Sequence, residues 1–296
     1  MCHSLKCMDN RSEVRDFLST RRAKITPQQA GVPMYGQRRR VPGLRREEVA
    51  QLAGVSTDYY TRLEKGALGG ASDSVLEAIA RALQLDDAER AHLLDLARAA
   101  RGGQPPRRRA QVQHLRSSLQ DMLDAMITVP AFINNGRLDL IGANALARAF
   151  YSQVLDSPGA PPNFARFCFL DPRAAEFYAD WERAADITVA LLRTEAGRDP
   201  HNRELTDLVG QLATVSDAFR TRWAAHNVHV HVTCTKAFRH PTVGELHLAF
   251  NTLPLPGDPG LSLTVYTPEP ATGTDERLAL LASWAAPTPT TRAKDS

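Results

Sequence analysis

Long apolar runs are missing from this chain of 296 residues, and a membrane-spanning helix needs about 18 consecutive apolar residues. The opening residues MCHSLKCMDN also lack the apolar stretch of a secretory signal. A cytoplasmic protein without a membrane partner is the expectation. Cysteine is sparse: Cys2, Cys7, Cys168 and Cys234 are scattered along the chain, which argues against a disulfide framework. Catalytic signatures are missing as well. There is no glycine-rich phosphate loop, no GxSxG elbow and no HExxH pair, so neither an enzyme nor a cofactor is expected. Cys2, His3 and Cys7 have no fourth ligand, and His229 and His231 share a strand face with Cys234 on the other side. No metal site is expected from either group.

The chain does have apolar residues, at 43% of the total, and a charge asymmetry. Residues 1–110 carry 20 Lys and Arg against 13 Asp and Glu, a net of +7. Residues 111–296 carry 16 against 20, a net of −4. A basic first third suits a polyanion, while the acidic remainder is repelled by one. Two parts with different tasks follow.

The basic part holds the most informative stretch, RRRVPGLRREEVAQLAGVSTDYYTRLEKG, from Arg38 to Gly66. Val49 and Leu52 mark the apolar face of a helix over Arg45–Leu52, with Glu47 and Glu48 at the positive end of its dipole. Gly54 supplies a turn that requires φ > 0. Ser56 then caps a second helix, Thr57–Glu64, whose inner face is Tyr60 and Leu63. Two short helices joined by a glycine turn read as a helix-turn-helix, and the partner implied is double-stranded DNA.

Three further helices complete an all-α, five-helix domain over residues 1–100. One spans Arg11–Lys24 behind a capping-box spacing at Asn10 and Glu13; one opens at Ser74; one opens at Asp86 and Glu89. Residues 101–111 read as a basic linker. Val112, Leu115, Leu119, Met122 and Met126 then form a heptad-like stripe, which either packs on the second domain or makes a dimer seam. The second domain is expected over 112–286. It should contain a strand at Arg137–Ala143, a helix capped by Asn144, and two long helices at about Asp171–Gly197 and Arg203–His226. Strands at Val228–Lys236, Glu245–Leu253 and Leu261–Thr267 and a short helix at Leu278–Trp284 follow. That order predicts an α+β domain, an antiparallel sheet with helices on one face, before a disordered tail at 287–296.

At these residues the chain resembles a known family. Its first hundred residues are similar to the lambda-repressor-like, xenobiotic-response-element type of DNA-binding domain. Together with PAFINNGRLDLIGANALARAF, NFARFCFLDPRAAEFYADWERAA, LRTEAGRDP, FRTRWAAHNV, FRHPTVGELHLAFNTL and LTVYTPEP, the chain resembles the MmyB-like transcription regulators from about Glu13 to Leu281. The resemblance implies a PAS-like ligand-binding domain and fatty-acid-like ligands. His229 and His231 depart from it, because the family usually carries arginine or another charged residue there.

Carried onto this chain, the lambda-repressor-like pattern assigns Thr57, Asp58 and Arg62 to bases and Arg46, Ser56, Tyr59 and Lys65 to phosphates. Arg62 can offer a bidentate fork to guanine. Asp58 either accepts from a base or only flanks the helix cap. Arg38, Arg39 and Arg40 read as an arm for the backbone or minor groove, or as a solvated charge run. A homodimer is expected, because one helix-turn-helix covers only a half-site.

In the second domain the residues themselves allow a pocket between the two long helices and the sheet. Phe177, Trp181, Trp223, Phe238 and Tyr266 would wall it, and Arg166, Arg193, Arg239 or His240 would hold an anionic head group. Plain core is the other reading of each aromatic. A small apolar or lipid-like ligand is the expected partner. The alternative is a protein-interaction or dimerisation module with no ligand.

Overall fold

Val14, Phe17 and Leu18 recur at helical spacing and are fully buried along α1 (Asn10–Lys24). The computed structural model describes residues 10–32, 42–101, 115–159, 161–200, 202–225 and 235–285. Asn10 and Glu13, spaced as a capping box, have longer-range partners: Asn10 Nδ2 donates to the Leu96 carbonyl at 3.2 Å, and Glu13 pairs with Arg193. Helices α2 (Arg46–Ala53) and α3 (Thr57–Glu64) form the helix-turn-helix, followed by a 3-10 turn at Leu68–Gly70. Then come α4 (Asp73–Ala82) and α5 (Asp87–Ala100).

Local capping chemistry sets these starts. Arg45 N–H donates to Glu48 at 2.6 Å, and Tyr59 N–H donates to Ser56 Oγ at 3.1 Å. Asp86 and Glu89 form a reciprocal capping box. Helix α4 opens at Ser72 rather than Ser74, because Ser72 Oγ accepts the Val75 N–H. Leu52 also departs from expectation and is 42% exposed. Val49, Ala50 and Ala53 define the buried arc of α2, and Leu52 falls outside it.

The α+β part begins with α6 (Ser117–Asp124), β1 (Ala131–Asn135), β2 (Leu140–Ala143), α7 (Ala145–Phe150) and α8 (Ser152–Leu155). Next are α9 (Phe164–Leu170), α10 (Arg173–Phe177), α11 (Trp181–Arg198), α12 (Arg203–Val215) and α13 (Asp217–Ala224). The chain continues through β3 (Thr235–His240), β4 (Gly244–Pro254), β5 (Leu261–Pro268) and α14 (Thr274–Ala285). The strands form a five-stranded antiparallel sheet in the order β2-β1-β5-β4-β3.

Alternation along the strands separates two apolar faces. Phe132, Phe238, Leu246, Leu248 and Tyr266 join residues of α7, α9, α10 and α14 in one core. Ala131, Ile133, Leu261 and Leu263 pack instead with Leu119 and Leu123 of α6. The described part of the heptad-like stripe thus lies on the sheet, with Leu115, Met122 and Met126 flanking. Burial on both faces removed the polar alternation from β1, so that strand escaped the sequence reading.

Both long helices are interrupted. Tyr178 bridges Phe238, and the Ala179 N–H donates to the Ala237 carbonyl at 3.2 Å, which draws Tyr178–Ala179 out of helix and onto β3. Ser216 is extended and its Oγ accepts the Phe219 N–H, ending α12 and capping α13.

The chain divides into two compact units, residues 1–110 with 186–231, and residues 111–185 with 232–296. This grouping cuts across the continuous 112–286 stretch expected from sequence. Within the first unit, the fully buried Arg193 pairs with Glu13 and donates to the Trp223 carbonyl. Its guanidinium lies 4.1 Å from the Trp223 ring centre.

Candidate nucleic-acid interface and aromatic core

Gly54, at φ 68°, turns the chain between α2 and α3, and the Val55 N–H returns to the Ala50 carbonyl at 2.9 Å. This turn leaves Ser56, Thr57, Asp58, Arg62 and Lys65 exposed along α3, with Tyr59 half-buried against the core. Ser56 uses its hydroxyl as the helix cap. Arg62 lines a groove with Arg11, Tyr59, Gly66 and Gly70. Thr57 lies on a different, more open depression with Thr61, Arg22, Arg45 and Arg46.

Arg46 is exposed but engaged. Its Nε and Nη2 donate to Glu64 Oε1 at 3.0 and 2.8 Å. Glu64 is buried and also accepts a fork from Arg22 of α1, at 3.0 and 3.1 Å. Burial alone would raise the Glu64 carboxyl, yet the hydrogen bonds from Arg22 and Arg46 outweigh it and hold it below the ordinary range. Sequence reasoning missed Arg22 and Glu64. The available signal was an acid one turn after Tyr60, on the inner side of α3. Arg38, Arg39 and Arg40 lie outside the described residues, as do His229, His231, Cys234, Cys2, His3 and Cys7.

The expected pocket residues divide between the two units. Phe177, Phe238 and Tyr266 are buried in an aromatic cluster of the second unit, with Phe150 at its centre. Ring centres of Phe150 and Phe238 are 5.0 Å apart, those of Phe177 and Phe238 5.4 Å, and those of Phe238 and Tyr266 5.8 Å. The Tyr151 and Tyr266 hydroxyls bond to each other at 2.8 Å inside it, and burial pushes the Tyr151 phenol well above its ordinary range. Trp181 packs on this cluster, and its Nε1–H donates to the Cys168 carbonyl at 3.0 Å.

The basic candidates divide as well. Arg193 and Trp223 belong to the first unit, where Glu13 and a carbonyl occupy the guanidinium. Arg166 is half-buried, and Arg239 is exposed, reaching the Ala179 carbonyl at 3.4 Å. His240 is buried: Nε2 lies 3.3 Å from the Ala149 carbonyl, and Nδ1 accepts the Thr242 N–H at 3.2 Å. Burial lowers its pKa against the opposing Ala149 hydrogen bond, which favours the neutral ring. A neutral imidazole with both nitrogens engaged is a poor anion holder, and the ring stacks on Phe150 at 6.0 Å between centres.

Among the described residues, no helix is long and apolar enough to cross a membrane. Residues 115–281 match the family model of the MmyB-like transcription regulator ligand binding domain, and residues 35–93 match that of a helix-turn-helix domain. No curated protein matches the chain.

Proposed function

The chain belongs to the MmyB-like transcription regulators, and from that premise we propose that a lipid-like ligand controls its sequence-specific binding to DNA. It is a DNA-binding transcription regulator with a ligand-binding domain. One observation carries the regulatory step. Residues 186–225 lie within the matched ligand-binding stretch yet share a compact unit with the helix-turn-helix. A ligand that prefers one arrangement of that segment shifts DNA affinity by its differential affinity for the two arrangements.

The contacts proposed are Thr57, Asp58 and Arg62 to bases, with Arg46, Ser56, Tyr59 and Lys65 to phosphates. Exposure of Thr57, Asp58, Arg62 and Lys65 on one short helix supports this assignment. A homodimer reading two half-sites accompanies it. An acyl chain is energetically sufficient as ligand, since a dozen buried methylenes at ~0.8 kcal/mol each supply about 10 kcal/mol before association costs.

Native mass spectrometry of the full chain, then organic extraction, tests the ligand. A stoichiometric lipid-like mass, or a thermal shift with added C12–C18 fatty acids, is the expected result. A bare protein indifferent to those acids would favour a second reading, a ligand-free interaction module. The mutual packing of Phe150, Phe177, Phe238 and Tyr266 supports that second reading.

A further inference from the structure

Arg46 occupies the first position of α2, where a positive side chain faces the positive end of the helix dipole. That placement costs stability, and Glu47 and Glu48 beside it carry the charge that the position favours. Arg46 is also surplus to the needs of Glu64. The Arg22 fork already meets both carboxylate oxygens, so the triad keeps one net positive charge. Arg46 spends Nε and Nη2 on Glu64, and its Nη1 has no protein partner among the described residues. The side chain is 48% exposed, on the same depression as Arg45, Thr57 and Thr61.

We infer that Glu64 is a positioning residue for DNA contact: it fixes the plane of Arg46 so that the remaining guanidinium edge meets a phosphate beside the first turn of α3. The inference rests on the reading of α3 as the DNA-reading helix. A fixed fork loses less freedom on binding than a mobile one, so Glu64 raises affinity without touching DNA.

The test uses the full chain and a duplex selected by it from a random pool, with affinity measured against salt. Arg46→Gln is expected to flatten the slope by about one unit, because one phosphate neutralisation is lost. Arg46→Lys should keep the slope and bind about tenfold more weakly, since lysine keeps the charge but cannot bond Glu64 and a phosphate as a planar fork. In a Glu64→Gln background, checked for folding by circular dichroism, the difference between Arg46 and lysine should shrink to about twofold. A tenfold difference that persists there overturns the positioning role and leaves the Arg46 contact standing. An unchanged slope in Arg46→Gln overturns the contact and the positioning together. Arg46→Lys alone decides if Glu64→Gln does not fold, because binding equal to wild type sinks the inference.

Discussion

Arg193 and Glu13, 180 residues apart in the chain, form an ion pair inside one compact unit. Arg193 comes from the stretch that matches the ligand-binding family, and Glu13 from the first helix of the DNA-binding region. The guanidinium also lies over Trp223 and donates to its backbone carbonyl, so a single side chain gathers α1, α11 and α13. Polar anchors of this kind depend on geometry more than greasy contacts do, because a displaced partner leaves a buried charge behind. In the regulation proposed above, ligand occupancy would reach the DNA-binding helices through a joint of this kind.

Arg193→Leu should therefore destabilise the protein by about 3–5 kcal/mol, since it removes the cation facing Glu13. The double variant Glu13→Leu, Arg193→Leu should recover most of that loss. Urea denaturation measures both, and a double variant no better than Arg193→Leu would show that the pair is not the anchor.

Gly197 lies against His92 in the same unit, and a Cβ added there would come within 2.5 Å of the imidazole ring. Gly197→Ala should cost about 1–3 kcal/mol through overpacking. His92→Ala in the same chain makes room, so the melting temperature of the pair should exceed that of Gly197→Ala alone.

Arg62→Ala is expected to lose ~1–3 kcal/mol of discrimination at one base position. Lys65→Ala should weaken all duplexes alike and lower the salt slope by about one unit. Equal losses on every sequence for both variants would remove Arg62 from the base-reading set.

His240 sets an acid limit on the second unit. Its folded pKa lies below the unfolded value, so neutral His240 contributes stability above the unfolded pKa of about 6.5. That contribution falls as pH drops below about 6.5 toward the folded value, because the unfolded chain then binds the extra proton. Melting temperature should decline over that interval in the native chain. His240→Gln, whose amide can still donate to the Ala149 carbonyl, should flatten the decline.

Much of the fold was legible in short-range pattern. The Ser56 and Asp86 caps, the Asn144 cap and the glycine turn at Gly54 all appear as read from sequence. Such features depend on groups within four residues of each other, so local composition suffices to specify them. The exposed face of α3 follows from the same periodicity, whereas its candidate DNA contacts were implied by the lambda-repressor-like resemblance and not by the pattern itself.

Partner choice across long separations was not legible. Phe177, Phe238 and Trp223 were all expected to wall one pocket, but periodicity carries no information on which core each one enters. Only the folded chain places the first two in one aromatic cluster and stacks Trp223 on Phe219 beneath Arg193. Glu64 with Arg22, Arg193 with Glu13, and the break at Tyr178 share that origin. A helix pattern shows that a residue prefers burial; its neighbour is decided by how distant segments return to it, and that depends on the packing of the whole unit.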